Sequence, residues 1–471
     1  MTSASLAGVR RHPFSSMTVS ALAVAAAVLI GTAMAVDPRI GIALLLATCA
    51  VPLVLLDLSF GIALWAALLA LSSLPVFGVA ATAAGFLTVV CWIAVQRLEQ
   101  PRTLDRVVVI GAATLVVLLV WLSLSLSWAE DDGVAIGELA RWGLCGLAVA
   151  VLLTSVRSRR DARLVIGGFV IGIALSVLVG VARDGLGGAP VTTETLTSTE
   201  GRLTGGLGDP NILAAAIVPA IVLAAALSPL VRRPVRWGLL VCVGVLVVGL
   251  AATESRGGAV AAAAALVAAL LVMRRQQKAV LVAVAGIALV GGLYLAAYPQ
   301  GLERLTSSDG GNGRSELWRV AWRITAQHPV AGVGLHNFTV YSPRYVREPG
   351  PLKDVALIAE RPHAVHNTYL ELVAETGVIG LGLFLVVIGC SLGAALKAAR
   401  RFEARGDQTW GTLARAAFVA TVAALAAAFF VTLGSRLEFW LVLTLGPALL
   451  AVSQGVRRQH TVGMPSSADR L

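Results

Sequence analysis

Apolar residues fill one long run after another along this chain, separated by short polar intervals. A helix needs roughly 20 mostly apolar residues to cross the hydrocarbon layer of a bilayer. Such runs fall at 18–36, 40–56, 59–74, 77–95, 107–127, 138–155, 163–182, 211–230, 236–252, 257–273, 278–298, 368–396, 412–433 and 437–453. Those at 40–56 and 59–74 are short and split only by Asp57 and Leu58, so they read as tilted, re-entrant or joined. The pattern predicts an all-α polytopic membrane protein with 12–14 transmembrane helices. The first run, behind Arg10, Arg11 and His12, resembles a signal peptide, but with no convincing cleavage site after it we read it as the first span.

Basic clusters orient the helices, because short cytoplasmic loops carry an excess of Lys and Arg. With the N-terminus inside, the inner loops hold Arg97/Arg102/Arg106, Arg157/Arg159/Arg160/Arg163, Arg232/Arg233/Arg236, Arg274/Arg275/Lys278 and Lys397/Arg400/Arg401/Arg405. The tail adds Arg457 and Arg458, while the other short loops hold neutral or acidic text such as WAEDDG at 128–133. The expected organisation is a cytoplasmic tail (1–16), transmembrane helices with short loops (17–298, with an outer loop at 183–210), a large extracytoplasmic loop (299–367), C-terminal transmembrane helices (368–453) and a cytoplasmic tail (454–471). This places the chain in the cytoplasmic membrane, with its long loop outside. No fixed-period repeat relates the halves, so the inverted-repeat sign of many transporters is missing.

Composition adds weight to this picture. The chain has 471 residues, is 57% hydrophobic and only 13% charged, with a mean hydropathy of +0.84; soluble domains carry about 25% charged residues. The net charge of +11 is spread over the loop clusters, without the basic stripe and interleaved aromatics of a nucleic-acid groove. Cys49, Cys91, Cys145, Cys242 and Cys390 all lie in apolar runs without CxxC spacing, as core residues do.

Long polar loops usually carry function. The 299–367 loop holds His328, His336, His363 and His366, and also Arg304, Arg314, Arg319, Arg323, Arg344, Arg347, Lys353 and Arg361. Basic residues here run against the topological bias, so either an anionic ligand or lipid headgroups must meet them. GRSELWRVAWRITAQHP at 313–329 has helical period, with Leu317, Val320, Ala321 and Ile324 on one face and Trp318 and Trp322 four apart. That mix predicts an amphipathic helix in the membrane plane, ended by Pro329 and followed by the glycine turn GVGLHNF. His366 and Asn367 stand where the chain enters the membrane, with Glu371 and Glu375 following at helical spacing. A histidine there serves either as a general base or as an interfacial cap. His363-x-x-His366 has the spacing of a metal pair but no third ligand, so no metal and no cofactor are expected. GRLTGGLGDPN at 201–211 places Arg202 before a glycine-rich loop that opens a span, where helix N–H groups either face an anion or belong to a flexible loop. TESRGG at 253–258 puts Glu254 and Arg256 at the outer boundary, where charges are costly unless paired or functional.

These segments together resemble the bacterial O-antigen ligase/polymerase superfamily, which includes protein O-oligosaccharyltransferases. The matching text is GRLTGGLGDPN, ESRGG and GRSELW…HPVAGVGLHNF, continuing into HNTYLELVAETGVIGLGLF, over roughly residues 200–390. The resemblance implies a glycosyltransferase C-type fold with a large outer loop capping a cavity. It implies transfer of glycan from a polyprenyl-pyrophosphate donor to an acceptor hydroxyl on a glycan, lipid or protein, without a metal. Arg202 and Arg256 then match pyrophosphate-binding arginines, His366 the acceptor-activating histidine and Arg314 the loop arginine before the interfacial helix. His328, His336 and His363 receive no role. A transporter or flippase of a glycolipid or small anion is the rival, yet it would place ionisable groups at mid-membrane depth, and the polar residues gather at the outer boundary instead.

Overall fold

The computed structural model describes residues 16–37, 57–96, 103–185, 201–298, 314–347 and 363–461, with four isolated positions in 41–54. Its helices are α1 (Ser16–Val36), α2 (Leu58–Leu69), α3 (Pro75–Gln96), α4 (Arg106–Leu124), α5 (Asp132–Ser155), α6 (Arg159–Asp184), α7 (Pro210–Leu227), α8 (Arg233–Ala252), α9 (Arg256–Val272), α10 (Gln277–Ala297), α11 (Arg314–Gln327), α12 (Phe338–Val346), α13 (Thr368–Glu403), α14 (Gln408–Ala427) and α15 (Leu437–Thr461). No strand occurs among the described residues. Ten of these helices are long and apolar enough to cross a membrane, and α2 and α9 are shorter apolar helices. The protein is therefore an all-α polytopic membrane protein. The run at 40–56 lies almost wholly outside the described residues, as do Arg97, Arg102, Arg304, Lys353 and Arg361.

Capping side chains fix where the spans begin. Asp105 accepts from Val107 N, Asp209 from Asn211 N and Ile212 N, and Asn367 from Tyr369 N and Leu370 N. Each satisfies amide groups that an uncapped helix start would leave orphaned in a nonpolar medium. Asp131 does the same for Gly133 and Val134. Hence α5 starts at Asp132 rather than near 138, and part of the WAEDDG stretch is helix rather than loop.

The loops expected to be cytoplasmic gather at one end of the bundle and are joined there by ion pairs. Lys397 and Arg401 hold Asp105 at 2.9 and 2.7 Å, Arg159 holds Asp407 at 2.6 Å, and Arg160 holds Asp57 at 2.5 Å. Burial pushes the Asp105 carboxyl up, but hydrogen bonds and the two cations outweigh it and hold the group below its usual range. These basic residues tie neighbouring helix ends together.

At the other end the 314–347 segment forms a small lid with its own core. Leu317, Val320, Ala321 and Ile324 are all buried, as the helical period of α11 predicts, and pack with Val333, Phe338, Tyr345, Val346 and Val365. Trp322 points outward and is 65% exposed. His328 Nε2 meets the Tyr345 hydroxyl at 3.1 Å and Arg323 donates to Tyr345 O at 2.8 Å, so both fasten α11 to α12.

The lid is joined to the bundle through an interruption in α13. Gly377 has φ 68° and ψ −173°, which breaks the helix there. Three backbone groups beside the break find partners in the lid: Val333 N donates to Ala374 O, Gly334 N to Glu375 O, and Val378 N to Pro329 O, at 3.0, 2.8 and 2.9 Å. The Trp121 indole N–H takes Thr376 O at 2.9 Å. Glu375 adds side-chain grip, accepting from His336 N at 2.9 Å and from Phe338 N.

A second junction runs through Asn337, which is fully buried. Its Oδ1 accepts from Glu130 N and Asp131 N at 3.0 and 2.8 Å, while Nδ2 donates to Leu335 O at 3.0 Å. Asn337→Ala removes the acceptor for both amides at the α4–α5 junction. An unsatisfied buried group costs about 1–3 kcal/mol, so the purified variant is expected to melt well below the wild type in a thermal unfolding scan. An unchanged midpoint would mean that water replaces the amide and that this junction adds no stability.

Candidate functional site

Four helix starts gather near one another at this end of the bundle: α7 at Pro210 and α9 at Arg256, linked through Asn211 and Ser255, α11 at Arg314, near Arg256 and Asp209, and α13 at Thr368, just after His366. The N-terminal end of a helix carries partial positive charge and free N–H groups, so this convergence favours an anion. Two of the helices begin with arginine, which adds full charges to the partial ones.

The four residues expected from sequence meet here. Arg202 sits half-buried on the loop before α7, donating to Thr253 O at 2.8 Å and to Asn211 Oδ1 at 3.1 Å. Ser255, which caps α9, donates to the same Asn211 oxygen at 2.9 Å. Asn211 therefore links Arg202 to the start of the helix on which Arg256 is the first residue. Arg256 is exposed at the mouth of the site, while Arg314 and His366 are half-buried.

Electrostatics tie the group together. Burial lowers the Arg314 pKa; Asp209 opposes this, and the nearby positive charge of Arg256 adds to it. Arginine still stays charged at any relevant pH. His366 is held below its ordinary value first by burial, then by the Arg314 charge, with Asp209 pulling the other way and His363 adding a small further decrease. Its imidazole is therefore largely neutral at pH 7 and able to accept a proton.

The backbone at this point is unusual. His366 has φ 52° and Glu254 φ 48°, and positive φ in non-glycine residues is uncommon and concentrates at functional sites. The turn at His366 is held from both sides, by the Asn367 cap and by Trp318 Nε1 donating to Val365 O at 3.2 Å. Helix α11 thereby sets the position of the histidine.

Asp209 was not among the candidates read from sequence, although it influences both Arg314 and His366. The signal available was an acidic residue directly before Pro at a helix start, which reads first as a cap. Other basic residues of the long loop serve structure: Arg323 bonds Tyr345 O, and Arg344 pairs with Glu130 at 2.5 Å. His363 lies exposed at the edge, near His366.

The family model for O-antigen ligase matches residues 240–385. The match supports the O-antigen ligase-like superfamily and, with it, a membrane glycosyltransferase-like ligase or polymerase. It spans Arg256, Arg314 and His366, while Arg202 lies before it and is joined to it through Asn211 and Thr253. No curated protein matches the chain.

Proposed function

We propose that the protein transfers glycan from a polyprenyl-pyrophosphate donor to an acceptor hydroxyl, on the outer side of the cytoplasmic membrane, with inversion at the anomeric carbon and without a catalytic metal. The observation that carries this reading is the juxtaposition of a neutral, half-buried His366 with the guanidinium of Arg314, itself beside Arg256. Base and anion clamp stand in one place, as this chemistry requires.

In the proposed step His366 takes the proton of the acceptor hydroxyl as its oxygen forms a bond to the anomeric carbon. The bond from that carbon to the pyrophosphate oxygen breaks, and the electron pair leaves with the polyprenyl pyrophosphate. Arg202, Arg256 and Arg314 hold the donor and stabilise the charge that develops on it. Asp209 steadies the imidazolium until its proton passes to water.

The test is transfer from a purified lipid-linked donor by the full chain in detergent. A charge-assisted hydrogen bond is worth about 1.5–3 kcal/mol, so Arg256→Ala is expected to raise the KM for donor by roughly 10-fold or more. Unchanged donor affinity removes the clamp. In cells, deletion of the gene separates two acceptors: long chains accumulating on the carrier indicate a lost ligase, and single repeats a lost polymerase.

A further inference from the structure

A second cluster of chemically capable side chains lies on the other side of the lid junction. His336, Glu371 and Glu375 each offer a ligand atom, and these atoms lie within 4.8 Å of one another. Glu371 and Glu375 stand four apart on one face of α13, only 8% and 4% exposed. Burying an ionised carboxylate is costly unless a cation or several donors meet it. Among the described residues neither has a basic side chain in ion-pair contact, whereas the neighbouring buried Glu138 has Arg141 at 2.9 Å and Glu438 has Arg436 at 3.7 Å. The Thr432 hydroxyl lies beside the Glu371 carboxylate.

We propose that His336, Glu371 and Glu375 form a divalent transition-metal site, of the kind zinc or manganese occupies, which fastens the lid to the first turns of α13. One imidazole and two carboxylates suit such an ion better than the all-oxygen sets of calcium or magnesium. Three protein ligands leave a position for water or for the Thr432 oxygen beside Glu371. Glu375 is already oriented by the amides of His336 and Phe338, the outer-shell support that metal ligands typically have. The site is separate from His363 and His366, and its ion fixes the lid rather than entering the transfer. It therefore stands independently of the proposed reaction.

The experiment uses the full chain in detergent, stripped with EDTA and re-equilibrated with Zn2+ or Mn2+, with bound metal measured by mass spectrometry and melting followed in parallel. About one ion per chain and a higher melting temperature with the ion are expected. The near-isosteric Glu371→Gln, and His336→Gln, should each bind the ion at least 10-fold more weakly and lose the shift in melting. His363→Gln should keep both. Substoichiometric metal in the wild type, or melting that ignores the ion, overturns the proposal whatever the variants do. So does wild-type binding by Glu371→Gln, which would leave the two carboxylates sharing a proton, and so does loss of the ion in His363→Gln.

Discussion

Replacing His366 with alanine is expected to slow glycan transfer by roughly 10²–10⁴-fold, the usual contribution of a positioned general base, while donor binding changes little. The division follows from the site: Arg202 and Arg256 are held through Asn211, Thr253 and Ser255 and do not depend on the imidazole. The pH profile offers a second measure. Burial and the Arg314 charge lower the His366 pKa from its ordinary value of 6.5, so the neutral, proton-accepting form dominates at and above neutrality. The rate should hold as pH falls to about 6.5, then drop through the lowered pKa as the imidazole becomes protonated. Arg314→Gln removes one of the two larger influences lowering that pKa, so the acid limb should move to higher pH. Turnover by His366→Ala within a few fold of wild type, or an acid limb that ignores Arg314, would remove the base assignment.

The second large effect is structural. Gly377→Ala is expected to detach the lid from α13 and destabilise the protein by about 3 kcal/mol or more. A side chain at φ 68° and ψ −173° is strained by about 1–3 kcal/mol. The new Cβ would also lie 1.9 Å from Val330 O, against backbone that the three lid–helix hydrogen bonds hold in place. The variant should melt earlier, and limited proteolysis should cut the 329–347 segment first. Transfer should fall with it, since α11 positions His366 through Trp318. A variant that melts and resists protease like the wild type would show that the lid junction yields easily.

Much of this protein was legible in its sequence. Twenty-residue apolar runs dictate a polytopic helical bundle, because a bilayer leaves the backbone few other ways to satisfy its hydrogen bonds. The period of residues 314–327 gave the buried face of α11, because helical geometry alone decides which side chains share a face. The family resemblance named Arg202, Arg256, Arg314 and His366, and the fold brings them to one end of the bundle.

What the sequence left open concerns partners far apart in the chain. Nothing local says that Asp209 influences His366 across more than 150 residues, or that Asn211 joins Arg202 to Ser255. GVGLHNF reads as a turn, yet a side chain at Gly332 would meet the broken backbone of α13, 2.2 Å from Glu375 C, while one at Gly334 would meet Ala129, 2.7 Å from its Cα. His328 and His336 had no role in sequence because their partners, Tyr345 and Glu375, are set by packing. Periodicity and hydropathy are properties of neighbours along the chain, and they determined the helices. Charge pairing and backbone satisfaction across the lid act between residues that only folding makes neighbours, and they decided the site.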